Sequence, residues 1–184
     1  MSTACELTRA QQVLESGGIV AMPTESVYGL HCLPQHLDAI KKILQLKQRS
    51  PDKGLILIAG DLLQLDEYIS PLSDTLKEKI VHAYPVPTTW VVPARSEVSR
   101  LITGQFNTVA VRITRHPFIA RLCQQLNSAL ISTSANISQQ SVAHCAHEIK
   151  QIFPEGVDLI IEGKVLVNTQ PSQIIDIRTG ERLR

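Results

Sequence analysis

Two polar clusters at the edges of apolar segments carry residue types that could bind a nucleotide. Lys47-Gln48-Arg49 places two cations two residues apart, directly after a segment with helical spacing. Ser132-Thr133-Ser134-Ala135-Asn136 places hydroxyl and amide side chains directly after the apolar run 129–131. A lysine point charge and a planar guanidinium suit polyphosphate oxygens, and hydroxyl or amide groups can orient a ligand through hydrogen bonds. Each cluster alone is also typical of a helix end or a polar turn. The rest of the sequence has to decide whether either cluster binds a ligand.

Arg112 is unusual because it ends the run Val109-Ala110-Val111, where a buried strand normally carries another apolar side chain. An arginine there lies at a sheet edge, forms a structural ion pair, or binds an anion in a cleft. Lys53 could add a third charge to the loop after Lys47, but a solvent-facing lysine explains it equally well. For Glu25, an ordinary loop carboxylate is a simpler interpretation than a catalytic base.

The common phosphate-binding and metal-binding motifs are absent from the sequence. There is no G-x-x-x-x-G-K-[ST], no G-x-G-x-x-G and no H-E-x-x-H, so a bound nucleotide would depend on side-chain cations. The cluster His144-Cys145-Ala146-His147 has the residue types of a metal site. No second cluster supplies further ligands at a convincing spacing, so we predict no metal site.

The composition limits the classes of protein to which the chain can belong. Its 184 residues are 43% hydrophobic and 19% charged, which is ordinary for one globular domain. The net charge of +1 argues against a dedicated nucleic-acid-binding protein. No apolar run is long enough to span a membrane, no secretory signal is evident, and the four cysteines are scattered. We therefore expect a soluble, cytoplasmic protein.

Helical and strand patterns alternate along the chain. Leu37, Ile40, Ile43 and Leu44 recur at helical spacing, which predicts a helix over 36–46 that delivers Lys47 and Arg49 into the following loop. Other predicted elements are a helix over 117–126 and strands over 19–22, 55–59, 89–92, 108–113, 130–133 and 172–177. This intermixing favours an α/β (α+β) fold, with a twisted mixed β-sheet flanked by helices in a single domain covering 1–184.

The order of the motifs resembles that of the YrdC-like family. The resemblance covers nearly the whole chain, and its segments are 17–30, Lys47-x-Arg49, 108–112, Ser134-x-Asn136 and 171–176. That family comprises the threonylcarbamoyl-adenylate synthases of tRNA modification. It implies a nucleotidyltransferase that forms threonylcarbamoyl-AMP and pyrophosphate from L-threonine, bicarbonate and ATP. The product serves N6-threonylcarbamoyladenosine formation at position 37 of tRNAs that read ANN codons.

The resemblance also implies roles for individual residues. Lys47 and Arg49 would be catalytic, balancing the charge of the leaving pyrophosphate. The residues expected on the ATP side are Lys47, Arg49, Thr108, Ser134 and Asn136. Those expected to bind threonine are Thr24, Arg112 and Ser132, with Arg112 clamping the carboxylate. Mg²⁺ would arrive with ATP, and other proteins would transfer the threonylcarbamoyl group to tRNA.

Two alternatives stay open at this point. The chain could be an RNA- or ribosome-binding maturation factor that uses a basic concave surface, and weak RNA binding is possible on either interpretation. The residues available for that surface are Lys47, Arg49, Arg112, Arg115 and Arg121. It could also be a paralogue with the same fold and another substrate. We further expect Lys47 and Arg49 to lie in an exposed loop, so that their replacement leaves the fold intact.

Overall fold

The computed structural model describes residues 4–82, 86–165 and 172–183. Its α-helices are α1 (Ala4–Glu15), α2 (Leu37–Leu46), α3 (Asp74–Val81), α4 (Arg100–Thr103), α5 (Pro117–Leu126) and α6 (Ala146–Ile152). Its β-strands are β1 (Val20–Pro23), β2 (Tyr28–Cys32), β3 (Ile56–Ala59), β4 (Thr88–Pro93), β5 (Thr108–Ile113), β6 (Leu130–Ser134), β7 (Leu159–Ile160) and β8 (Gln173–Asp176). Single turns of 3-10 helix cover Pro51–Lys53 and Leu62–Leu65.

These eight strands form one mixed sheet in the order β7-β1-β2-β6-β3-β5-β4-β8. The pairs β1–β7, β3–β5 and β4–β8 are parallel, and the other neighbouring strands are antiparallel. Helices pack on both faces of this sheet. The predicted fold class, an α/β fold with a mixed sheet flanked by helices, is confirmed.

The alternation of side chains along the strands gives the two faces of the sheet separate cores. On one face, Leu57 and Ile131 pack in a cluster that includes Ile43 of α2. On the other face, Ile58 packs in a cluster with Leu122 of α5 and residues of α1. Residues two apart in a strand share a face. The second face therefore continues beyond these helices, where it opens into a cavity.

Helices α2 and α5 follow their predicted bounds to within one residue. α2 buries Ile40 and Ile43 on the stripe that the sequence indicates. α5 begins at Pro117, where a missing N–H costs no helical hydrogen bond, and its C-cap Asn127 takes the left-handed conformation at φ +45°. Over the described residues, no helix is both long and apolar enough to cross a membrane.

The strand β2 is missed by the sequence interpretation, which indicates only a polar turn in this region. The turn is short, because the Thr24 N–H donates to the Val27 carbonyl over 2.9 Å. Tyr28 then starts a strand that pairs with both β1 and β6. Gly29 and His31 interrupt its apolar pattern, since they lie on the face that carries the cavity.

Candidate active site

A cavity of about 720 Å³ opens on the part of the sheet that α1 and α5 leave uncovered. Its floor follows one row of side chains across five neighbouring strands, which are paired in register. In order across the sheet, the row is Ser132, Ile56, Ala110, Val91 and Asp176. The floor is apolar in its middle and polar at both ends. Such a site suits a ligand with polar groups on either side of an apolar part.

Most of the predicted site residues line this cavity. They are Thr24, Arg49, Thr108, Arg112, Ser132 and Ser134. The alternation of β5 explains the arginine at the end of its apolar run, because Thr108, Ala110 and Arg112 face the cavity while Val109 and Val111 face the core.

The charge of the described cavity lining is predominantly positive. Its charged members are Arg49, Lys53, Arg112, Arg178 and Asp176. Four cations against one carboxylate create a positive potential that favours an anionic ligand.

Lys47 and Arg49, which follow the C-terminal end of α2, point in different directions. The Arg49 N–H donates to the Leu44 carbonyl and the Gln48 N–H to the Gln45 carbonyl, both over 2.9 Å, which is the Schellman pattern. Gln48 takes the left-handed conformation at φ +48°. This reversal leaves Lys47 only 2% exposed, whereas Arg49 reaches the cavity.

Lys47 holds the turn after β6, and it does not line the cavity. Its Nζ donates to the Ser134 carbonyl, to the Asn136 carbonyl over 2.8 Å and to Asn136 Oδ1 over 3.2 Å. These three acceptors match the three protons of an ammonium group. Burial, with a smaller contribution from the Arg49 cation, lowers the pKa of Lys47 to about 8, so the group stays protonated at neutral pH. The expectation that Lys47 lies in an exposed loop is wrong.

Asn136 completes the support of this turn. Its Oδ1 accepts the hydroxyl proton of Ser134 over 2.7 Å, and its Nδ2 donates to the carbonyls of Ile137 and Gln140, both over 2.9 Å. Ser134 is thereby presented to the cavity by two side chains that lie behind it. Direct contact of Lys47 and Asn136 with ATP stays a prediction.

The loop that carries Arg49 is held by α4, which the sequence interpretation misses. Arg49 Nη2 donates to the Gly54 carbonyl over 2.9 Å, and the Gln105 N–H donates to the Asp52 carbonyl over 3.2 Å. Gly104, just after α4, adopts φ +67° and touches the loop backbone. The loop is therefore braced before any ligand binds.

We expect Gly104→Ala to impair use of the nucleotide. A Cβ at this position would lie 2.3 Å from the Asp52 carbonyl oxygen, so the Pro51–Lys53 turn would have to move, and Arg49 with it. A misplacement of this size should lower kcat/KM for ATP, the nucleotide that the resemblance implies, by about tenfold or more. Gly17→Ala is the matched control, since its φ of +81° imposes comparable strain but its nearest new contact is 3.4 Å. The measurement is pyrophosphate release. If the two variants have equal kcat/KM for ATP, Gly104 does not brace the loop that carries Arg49.

Arg112 lies between the cavity and a buried carboxylate. Its Nη2 is 4.0 Å from Oε2 of Glu25, and Oε1 of Glu25 accepts hydrogen bonds from Thr114 Oγ1 over 2.7 Å and from the Arg115 N–H over 2.9 Å. Burial acts to raise the pKa of Glu25, but the Arg112 cation and these hydrogen bonds outweigh it and hold the pKa below its ordinary value. Glu25 is not the ordinary loop carboxylate that the sequence suggests, because it is buried and holds the guanidinium from behind.

Several cavity residues near the end of the chain have no role in the sequence interpretation. The motif 171–176 contributes Ser172 and Asp176 to the lining, while Pro171 lies outside the described residues. Arg178 also lines the cavity, and its Nη2 is 3.3 Å from Asp176 Oδ2. The spacing Asp-x-Arg at the end of a strand was the available signal for this pair.

No metal-binding cluster occurs among the residues that the structure describes, because no three histidine, cysteine, aspartate or glutamate side chains come together. His144, Cys145 and His147 are exposed to solvent.

Comparison with known proteins identifies the family. The Sua5/YciO/YrdC family model, described as "Telomere recombination", matches residues 12–184. A threonylcarbamoyl-AMP synthase of Nitrosococcus oceani is 43% identical over 95% of each chain, and one of Serratia proteamaculans is 44% identical over 93% of this chain and 91% of the relative. The crystal structure of P. abyssi Sua5 complexed with L-threonine has a TM-score of 0.87 at 30% identity, covering 96% of this chain and 52% of that one. The predicted family is thus confirmed, and the chain belongs to the Sua5/YciO/YrdC family.

Proposed function

We propose that this protein is a threonylcarbamoyl-AMP synthase, an enzyme that joins L-threonine, bicarbonate and ATP and releases pyrophosphate. The observation that carries the proposal is a single cavity lined both by cations suited to a triphosphate and by Arg112 with neighbouring hydroxyl groups. The relatives from Nitrosococcus oceani and Serratia proteamaculans, which this chain matches over nearly their whole length, carry the same activity in their names.

The triphosphate would lie against Arg49, Lys53 and Arg178. A guanidinium can donate two parallel hydrogen bonds to phosphate oxygens, and the cations can balance charge that develops on the leaving pyrophosphate. Mg²⁺ would enter as part of the ATP substrate. Asp176 is the one carboxylate in the described lining and it is already paired with Arg178, so phosphate oxygens and water would supply most of the magnesium ligands.

The amino acid would bind at the part of the cavity formed by Ser132 and Arg112, the amino-acid end. Arg112 would clamp its carboxylate, with the buried Glu25 fixing the orientation of the guanidinium. The hydroxyls of Thr24 and Ser132 would orient the amine and side chain. Thr24 is itself fixed, because its Oγ1 donates to the Val27 carbonyl over 2.8 Å.

The reaction that this arrangement supports depends on positioning. The threonine amine and bicarbonate form a carbamate and release water. A carbamate oxygen then attacks the α-phosphorus of ATP, and the bond between that phosphorus and the pyrophosphate oxygen breaks. Bringing the attacking oxygen into line and stabilising the departing charge can supply most of the acceleration without a side-chain nucleophile. The product would pass to proteins that transfer the threonylcarbamoyl group to position 37 of tRNA, and the enzyme would work in the cytoplasm.

The RNA-binding alternative loses support from the structure. Two of the residues proposed for its basic surface, Lys47 and Arg112, are 2% and 8% exposed. Arg49 lines the cavity and Arg115 and Arg121 are exposed, but these three arginines do not make the extended basic patch that such binding requires.

The proposal predicts that pyrophosphate release from ATP and Mg²⁺ requires both threonine and bicarbonate. The measurement is pyrophosphate release by the purified protein, with each substrate omitted in turn. Mass spectrometry should detect threonylcarbamoyl-AMP in the complete reaction only. Release that is independent of threonine, or no release by the folded protein, would contradict the proposed function.

A further inference from the structure

A buried histidine lies directly behind the amino-acid end of the cavity. His31 is 0% exposed, lies on β2, and is paired in register with Ser132 on β6. Its Nε2 is 3.2 Å from Ser132 Oγ. Ser132 lines the cavity and His31 does not. The histidine can therefore act on a ligand through the serine and not by direct contact.

The strand is built to accommodate this imidazole. Gly29 shares the cavity face of β2 with His31, and a Cβ on Gly29 would lie 2.6 Å from Cε1 and 3.0 Å from Nε2 of the ring. Any larger residue at that position would push the imidazole away from Ser132. The glycine thus lets the ring lie flat along its own strand and reach the serine hydroxyl on the neighbouring one.

We propose that His31 is a positioning residue that fixes the Ser132 hydroxyl for the amino-acid substrate and so sets the affinity for threonine. This inference rests on the proposed function. In one tautomer, Nε2 accepts the serine proton and leaves the serine oxygen facing the cavity as an acceptor. In the other, Nε2–H donates to the serine and the hydroxyl proton turns toward the cavity. Either way, a hydroxyl that would otherwise rotate is held in one orientation.

A role in proton transfer does not fit the site. Burial lowers the pKa of His31 to about 3, and the nearby Arg112 cation adds to this effect, so the imidazole stays neutral at physiological pH. A group so hard to protonate is a poor acceptor for the proton of a threonine ammonium. Because it has no access to the cavity, it also cannot meet the substrate. Positioning is the role that its neutrality and burial support.

The test compares His31→Leu, which removes the hydrogen bond at similar volume, with His31→Gln, whose terminal amide can reach the position of Nε2. Loss of one buried hydrogen bond should raise the threonine KM about five- to tenfold in His31→Leu, with the ATP KM unchanged. His31→Gln should stay within about twofold of the wild type. If His31→Leu does not fold, His31→Asn takes its place, since its amide is one methylene too short to reach Ser132.

A double-mutant cycle with Ser132→Ala makes the test specific. Once the hydroxyl is absent, removing the imidazole should change nothing, so the double variant should have the threonine KM of Ser132→Ala alone. Additive effects, equal changes in the ATP and threonine KM, or a normal threonine KM in His31→Leu would each overturn the inference. Threonine affinity is also measured by calorimetry. Wild-type protein that binds threonine without releasing pyrophosphate would contradict the proposed function, while the binding data would still decide the role of His31.

Discussion

Replacement of Lys47 by methionine should remove at least about 99% of activity and also lower the free energy of unfolding by about 2 to 4 kcal/mol. Methionine matches the length of the lysine stem but has no donor for the carbonyls of Ser134 and Asn136. Buried acceptors that lose their partner cost about 1 to 3 kcal/mol each, partly relieved where water can enter. The same loss frees the turn that presents Ser134, and small displacements of a positioned group are costly to catalysis.

Chemical denaturation and pyrophosphate release measure the two effects separately. Lys41→Met is the matched control, because Lys41 is on the same helix but is exposed and pairs only with Asp38 at the surface. Such a pair contributes at most about 1 kcal/mol, so this variant should keep its activity. If Lys47→Met loses activity at full stability, then the ammonium acts on the ligand and not through the turn. Full activity of Lys47→Met would show that catalysis needs neither a contact of this ammonium with the ligand nor its support of the turn.

Several residues that the sequence singled out lie around one cavity, but their individual positions were harder to predict. The period of two in β5 was enough to mark Arg112 as exceptional, and the structure brings it into the same cavity as Arg49 and Ser134. The burial of Lys47 could not be predicted, because it depends on Gln48 adopting φ +48°, and the glycine that usually marks such a turn is absent. The burial and hydrogen bonds of Glu25 could not be predicted either, since its partners Thr114 and Arg115 are about ninety residues away along the chain.

The strand β2 shows a second limit of sequence patterns. Gly29 and His31 lie where an apolar alternation would be needed to predict a strand, because this part of the face borders the cavity. The bracing of the Arg49 loop by α4 likewise depends on contacts between segments about fifty residues apart. Local periodicity finds elements whose faces are uniformly buried, and it fails where a face is shaped for a ligand or for another loop.

Arg112→Lys should raise the threonine KM about 10- to 100-fold while leaving the fold intact. Lysine keeps a positive charge next to Glu25, so the buried carboxylate still has a counter-charge. It lacks the planar fork that can hold a carboxylate by two parallel hydrogen bonds. Losing charge-assisted bonds of this kind costs about 1.5 to 3 kcal/mol, which corresponds to the expected change in KM. The ATP KM should change little, because Arg112 lies at the amino-acid end.

Two further variants decide whether this effect comes from the ligand or from the fold. Arg115→Lys makes the same chemical change on an exposed side chain three residues along, and it should leave the threonine KM unchanged. Arg112→Met removes the charge as well, so Glu25 becomes a buried carboxylate without its cation, and the loss of stability should reach about 3 to 5 kcal/mol. Adding Glu25→Gln to Arg112→Met should restore much of that stability, but not threonine binding. If the double variant recovers threonine binding too, the carboxylate clamp lies elsewhere in the cavity and Arg112 serves only to neutralise Glu25.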